Sequence, residues 1–159
     1  MTTQLMVKMA LDNWNSRLKT ASELFDKLTD EQLMTEIAPG RNRGIYLLGH
    51  LTAVHDRLLS LLGLGERMYS NLDEAFETNP DKAIPLPLSI SELRLCWTNT
   101  NTALTSHFNK LSSDDWFKKH TSISDEDFAK EPHRNKLNVL LNRTNHLAYH
   151  TGQAALLKK

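Results

Sequence analysis

All five prolines, Pro39, Pro80, Pro85, Pro87 and Pro132, fall between segments whose apolar residues repeat at helical spacing, and none falls inside one. Proline lacks a backbone donor and clashes with the preceding turn, so this placement divides the chain into helices and the connections between them. In the first segment Val7, Leu11, Trp14, Leu18, Ala21, Phe25 and Leu28 draw one apolar stripe at steps of three and four, with Asn13, Arg17 and Lys19 on the opposite face. A second stripe follows PGRNRG through Leu47, Leu51, Val54, Leu58 and Leu61 and stops at Gly63 and Gly65. The stretch from Met68 to Pro87 keeps no period and reads as a long crossover, with a short helix around Asp73 to Thr78.

Ser89 and Glu92 form an S-x-x-E capping box, in which hydroxyl and carboxylate each satisfy an orphaned backbone donor. The third stripe, Leu93, Trp97, Thr100, Leu104, His107 and Leu111, begins there. A polar stretch from Ser112 to Arg134, holding Trp116 and Phe117, leads into a last helix from about Asn135 to Leu157. Weak internal similarity accompanies this order. KLTDEQL closes helix one as KLSSDDW closes helix three, and GHLTAVH in helix two resembles NHLAYH in helix four. Two related helical hairpins joined by the crossover are expected. The fold class is therefore all-α, a four-helix bundle with a long crossover between helices two and three, as a single domain over residues 1–159. No alternating β-type runs or low-complexity tracts compete with it.

Nineteen Lys and Arg balance nineteen Asp and Glu, which leaves no basic field for nucleic acid or an anionic membrane surface. No apolar stretch nears the roughly 18 residues that cross a bilayer, and Lys8 and Asp12 interrupt any signal-like run at the N-terminus. The expectation is a soluble, unexported, cytoplasmic protein. Cys96 is the only cysteine, so neither an intrachain disulfide nor a thiolate metal cluster can form, and beside Trp97 it reads as small core filler. Chemistry must come from other side chains, and seven histidines are the evident reserve.

The sharpest motif is NHLAYHTGQ, residues 145–153. His146 and His150 stand four apart on a helix, one turn apart on one face, close enough to share an ion; Gln153 continues the strip. An isolated pair of this kind is also what a polar helix surface produces by chance. His50, in YLLGHLTAVHD, lies on the flank of the second stripe beside Leu47 and Val54 and faces the core edge. A buried histidine needs a partner, and an ion shared with His146 and His150 supplies one for all three. Three neutral imidazoles leave a divalent cation its full charge and an open position, the pattern of a catalytic site. Zinc, nickel, copper and iron all accept such ligands. The expected partner is a small anionic or ionisable molecule.

Gly49 and Gly152 sit inside helices, each within two residues of a proposed ligand, at a cost of about 1 kcal/mol relative to alanine. Close approach of a neighbouring helix or substrate accounts for them, and so does plain helix packing. His55 is five residues after His50, about 140° around the helix, and does not face the same ion. His107 lies on the third stripe as a satisfied core histidine or a spare ligand, while His120 and His133 fall in connections where solvent is expected. Tyr149 and Gln153 are placed to orient a substrate, with Asn145 or Arg143 on the neighbouring strip.

These residues resemble the DinB-like superfamily of bacterial four-helix proteins. The resemblance covers nearly the whole chain in length and helix order. Its specific part is His50 in LLGHL, matching a histidine in the middle of helix two, and His146, His150, Gly152 and Gln153, matching a histidine pair followed by Gly-Gln in the last helix. The resemblance implies a divalent ion, zinc or nickel, on the three histidines, and a homodimer. Some relatives are thiol S-transferases using bacillithiol, mycothiol or glutathione, and a mycothiol-dependent isomerase belongs to the group. The implied function is a metal-dependent enzyme acting on a small-molecule substrate, with a low-molecular-weight thiol or water activated at the ion. A non-catalytic helical binding module, with a structural or vestigial metal site, is the alternative.

Overall fold

The computed structural model describes residues 2–158. These are helical and form no strand; two isolated bridges, Glu36 to Arg43 and Lys119 to Asn135, are their only β pairings. The first expected stripe forms α1, Thr2–Lys27, which buries Val7, Ala10, Trp14, Ala21, Leu24 and Phe25 and lies along the last helix. Thr29 and Gln32 then make a capping box for a one-turn helix, α2, Asp30–Leu33, which drives Leu33 into the core.

The second expected stripe forms α3, Gly44–Leu61. It is buried on nearly every side, with Ile45, Leu48, Ala53 and Leu59 added to the expected stripe. The single stripe understates its burial because α3 contacts elements on several sides, including the helix after it, the last helix and the connecting segment. Gly63, at φ +64, ends it: the Gly63 N–H donates to the Ser60 carbonyl and the Leu64 N–H to that of Leu59, the two bonds of a Schellman motif.

The connection that follows is ordered by charge. Asp56, fully buried, accepts from the Arg67 guanidinium at 3.0 Å and from the backbone N–H groups of Met68 and Tyr69 at 2.8 and 3.2 Å. Arg67 also pairs with Asp73, and Arg57 with Asp73 and Glu77. These bonds hold a 3₁₀ turn, Ser70–Leu72, and a π-helical turn, Glu74–Thr78, against α3. The short helix expected near Asp73 to Thr78 is this π turn.

Ser89 and Glu92 form the expected box, with both bonds present, at the start of α4, Ile90–Phe108. Its buried face is Leu93, Cys96, Trp97, Thr100, Asn101, Leu104 and Phe108. Phe108, and not His107, completes the stripe; His107 is half-buried. Arg94 ties α4 to the end of α1 by donating to the carbonyls of Phe25 and Leu28.

The polar stretch after α4 holds two short helices. Ser112 and Asp115 cap each other at a 3₁₀ turn, Asp114–Phe117, that buries Trp116, and Ser124 caps α5, Asp125–Lys130, which buries nothing. Asn135 caps the last helix, α6, Lys136–Ala154, which continues as a 3₁₀ turn to Leu157. The similarity of KLTDEQL to KLSSDDW thus marks two equivalent capped turns, each sinking its final residue, Leu33 or Trp116, into the core. No helix among the described residues is long and apolar enough to cross a membrane.

Candidate metal centre

Helices α3 and α6 pack against each other, and the contact carries His50 from one and His146 and His150 from the other. The His146 Nε2 lies 3.1 Å from the Nε2 of His50 and 3.1 Å from that of His150. One nitrogen from each ring lies within 4.8 Å of the others, so the three form a cluster that could hold a metal ion. All three rings are half-buried.

The outward nitrogens set the tautomers. His50 Nδ1 stands 2.8 Å from the Phe76 carbonyl, which only accepts, so the ring proton sits there and Nε2 offers a lone pair to the cluster. His150 Nδ1 donates to Gln153 Oε1 at 2.7 Å, and the Gln153 amide nitrogen donates to the Tyr149 hydroxyl at 3.2 Å. His150 therefore also turns a lone pair inward. Gln153 acts on His150, one turn back along α6, while Tyr149 is 64% exposed with its ring edge-on to His150 at 5.1 Å.

Phe76 carries no signal of its own as a site residue, since its contribution is a backbone carbonyl. Gly49 is the trace it leaves in the sequence. A Cβ there would stand 2.4 Å from the Phe76 ring, so the close approach at this helical glycine is made by the π turn. At Gly152 an added Cβ would meet nothing within 4 Å, and nothing in the structure explains that glycine.

Burial pushes the His146 pKa down to about 3, and the charges of His150, His50 and Arg143 push the same way. Burial also lowers His50 and His150, against the Phe76 carbonyl and Gln153 respectively, each of which favours the charged form. Neutral rings at pH 7 are the protonation state a metal requires. His146 Nδ1 is buried without a hydrogen-bond partner. A proton on its Nε2 strands that nitrogen as a bare acceptor; a proton on Nδ1 strands a donor and brings three lone pairs together. A cation satisfies all three lone pairs at once. Imidazole nitrogens sharing a tetrahedral zinc stand about 3.3 Å apart, close to the 3.1 Å found here. The donor set fits a divalent ion.

A family model of the DinB superfamily matches residues 15–154. This chain belongs to the DinB superfamily. Proteins of curated function yield no match. The span that matches the DinB superfamily runs from α1 to the end of α6 and includes all three clustered histidines, Phe76 and Gln153.

The remaining candidates of this DinB-superfamily protein lie elsewhere or differ in kind. Asn145 is exposed. Arg143 is half-buried on the histidine face of α6, and desolvation lowers its pKa from the ordinary arginine value. His55 is fully buried away from the cluster, between Trp14 and Trp97. Cys96 is buried, and desolvation raises its thiol pKa, which suits core filler and not a nucleophile. His133 is exposed, whereas His120 is half-buried and accepts from the Ser122 N–H at 3.2 Å.

Proposed function

We propose that this DinB-superfamily protein is a metal-dependent enzyme, with a divalent ion, zinc or nickel, held by His50, His146 and His150. Its proposed reaction is transfer of a low-molecular-weight thiol to an electrophilic small molecule, with water as the other nucleophile such a site activates. The carrying observation is the convergence of three neutral imidazole nitrogens, two of them with the ring proton pinned on the far side by Phe76 and Gln153. When bound, a divalent ion supplies Lewis acidity, which lowers the pKa of a thiol or water that joins it.

The chain's own groups do the rest. The Phe76 carbonyl and Gln153 amide orient the donor rings and raise their basicity, as outer partners of ligating histidines do. Tyr149, at the exposed rim, positions the substrate in this reading, and Gln153 holds its hydroxyl. The architecture that goes with it is a single-domain four-helix bundle of α1, α3, α4 and α6 with the long crossover between α3 and α4, acting as a cytoplasmic homodimer.

One observation favours a second reading. The 3.1 Å contacts among the rings also suit a hydrogen-bonded histidine cluster, as in a non-catalytic binding module. Metal analysis separates the two. The wild type is expected to carry about one divalent ion per chain, and a His50, His146, His150 triple alanine variant essentially none. Equal occupancy in both proteins would sink the metal reading, and thiol consumption with a panel of electrophiles then tests the transfer.

A further inference from the structure

Arg143 precedes His146 by three residues on α6, so its side chain leaves the helix on the face of the imidazoles. It is half-buried, and its Nε is buried with no hydrogen-bond partner. The other half-buried arginines among the described residues are all ion-paired: Arg43 with Asp81, Arg67 with Asp56 and Asp73, Arg94 with Asp30, and Arg134 with Glu131. Arg143 alone among them has no carboxylate within ion-pair distance. Glu77 is near enough for its charge to act on Arg143, but its carboxylate is held by Arg57. A desolvated guanidinium with an idle donor is costly, and an anionic ligand that pairs with it offsets that cost.

We propose that Arg143 anchors a carboxylate of the small molecule that binds at the histidine cluster, which makes that molecule a short-chain mercaptocarboxylate or a larger thiol carrying the same unit. The inference rests on the metal reading for the thiol end and on Arg143 for the other. A guanidinium presents a planar fork that matches a carboxylate with two parallel bonds. Arg143 is near enough for its charge to act on His50 and His146, so a thiol and a carboxylate separated by a few bonds are placed to meet both. Glu77 beside the guanidinium favours a singly charged carboxylate over a doubly charged phosphate.

The test follows the Nε–H resonance of Arg143 in nitrogen-15-labelled full-length protein, assigned by its absence from Arg143→Gln and from Arg143→Lys. In the zinc-loaded protein 3-mercaptopropionate shifts this resonance saturably, whereas 2-mercaptoethanol, which lacks the carboxylate, leaves it in place. Histidine ring resonances report binding in the variants, where affinity for 3-mercaptopropionate falls at least about tenfold in Arg143→Gln and less in Arg143→Lys. Histidine resonances that respond to 3-mercaptopropionate while Arg143 stays still overturn the anchor and leave the metal reading intact. Histidine resonances that ignore zinc remove the metal reading. The metal-free wild type titrated with propionate then decides the anchor alone: a saturable Arg143 shift supports it, and a flat titration overturns it.

Discussion

Helix α3 carries two histidines five residues apart, and they have opposite surroundings. His55 is fully enclosed, 4.9 Å from the Trp14 ring on α1 and 5.1 Å from that of Trp97 on α4, with Nδ1 donating to Asn101 Oδ1 at 2.7 Å. Its Nε2 meets no polar partner. His50 is only half-buried, yet its Nε2 stands against another imidazole nitrogen from a helix 96 residues further along the chain. Burial lowers the pKa of both rings, so neutrality alone does not distinguish the proposed metal ligand from the core histidine. What distinguishes them is the group opposite the free lone pair: a packed aromatic wall for His55, a second donor for His50.

If the regions differ in this way, zinc should stabilise one and ignore the other. At a thousandfold excess over its dissociation constant, zinc is expected to raise the unfolding free energy of the wild type by about 4 kcal/mol. Thermal or urea unfolding should show the same gain in His55→Gln and none in His146→Ala. A gain lost in His55→Gln would break the comparison by coupling the two regions.

Acid should discriminate in the other direction. Burial, with smaller contributions from the charges of Arg143 and His50, pushes the His55 pKa down to about 4, against the opposing Asn101 contact. Between that value and the ordinary 6.5 the unfolded chain binds a proton that the folded chain refuses. The stability owed to a neutral His55 is therefore whole above pH 6.5 and is lost as pH falls toward 4, by about 3 kcal/mol in all. Urea titrations of metal-free protein from pH 7 to 4 should give a shallower decline for His55→Gln than for wild type, and parallel curves would refute the assignment. The difference between the two proteins isolates His55 from the clustered histidines, whose lowered pKa values act in the same sense.

The smallest effect sharpens the link between the π turn and His50. Gly49→Ala places a methyl group within 2.4 Å of the buried Phe76 ring, and overpacking of this kind costs about 1–3 kcal/mol. Zinc affinity should fall with it, because the Phe76 carbonyl that orients His50 must move. The indole N–H resonances of Trp14 and Trp97, which wall His55, should stay unchanged.

Much of this was legible because it is local. The capping box at Ser89, the stop at Gly63 and the one-turn spacing of His146 and His150 each depend on residues within one or two turns. The π turn near Asp73 to Thr78 was legible as a short helix, whereas α2 and α5 were not. A four-residue helix such as α2 has no room to display a period, and α5 buries nothing, so neither writes a stripe into the sequence. His107 was misplaced by one position, since near a helix end the choice between it and Phe108 is made by the packing partner, here Trp14 and Trp116.

The sequence by itself determined the all-helical class, the places where the chain turns, and a histidine pair on one face of its last helix, because backbone hydrogen bonds and side-chain periodicity act over a few residues. Only the tertiary structure decided that His50 meets that pair, that a carbonyl from the connecting segment fixes its tautomer, that the Arg143 Nε is buried without a hydrogen-bond partner and that His55 is sealed away. These depend on which helix faces pack together, and that choice is made by burial summed over the whole core, where no short stretch of residues records it.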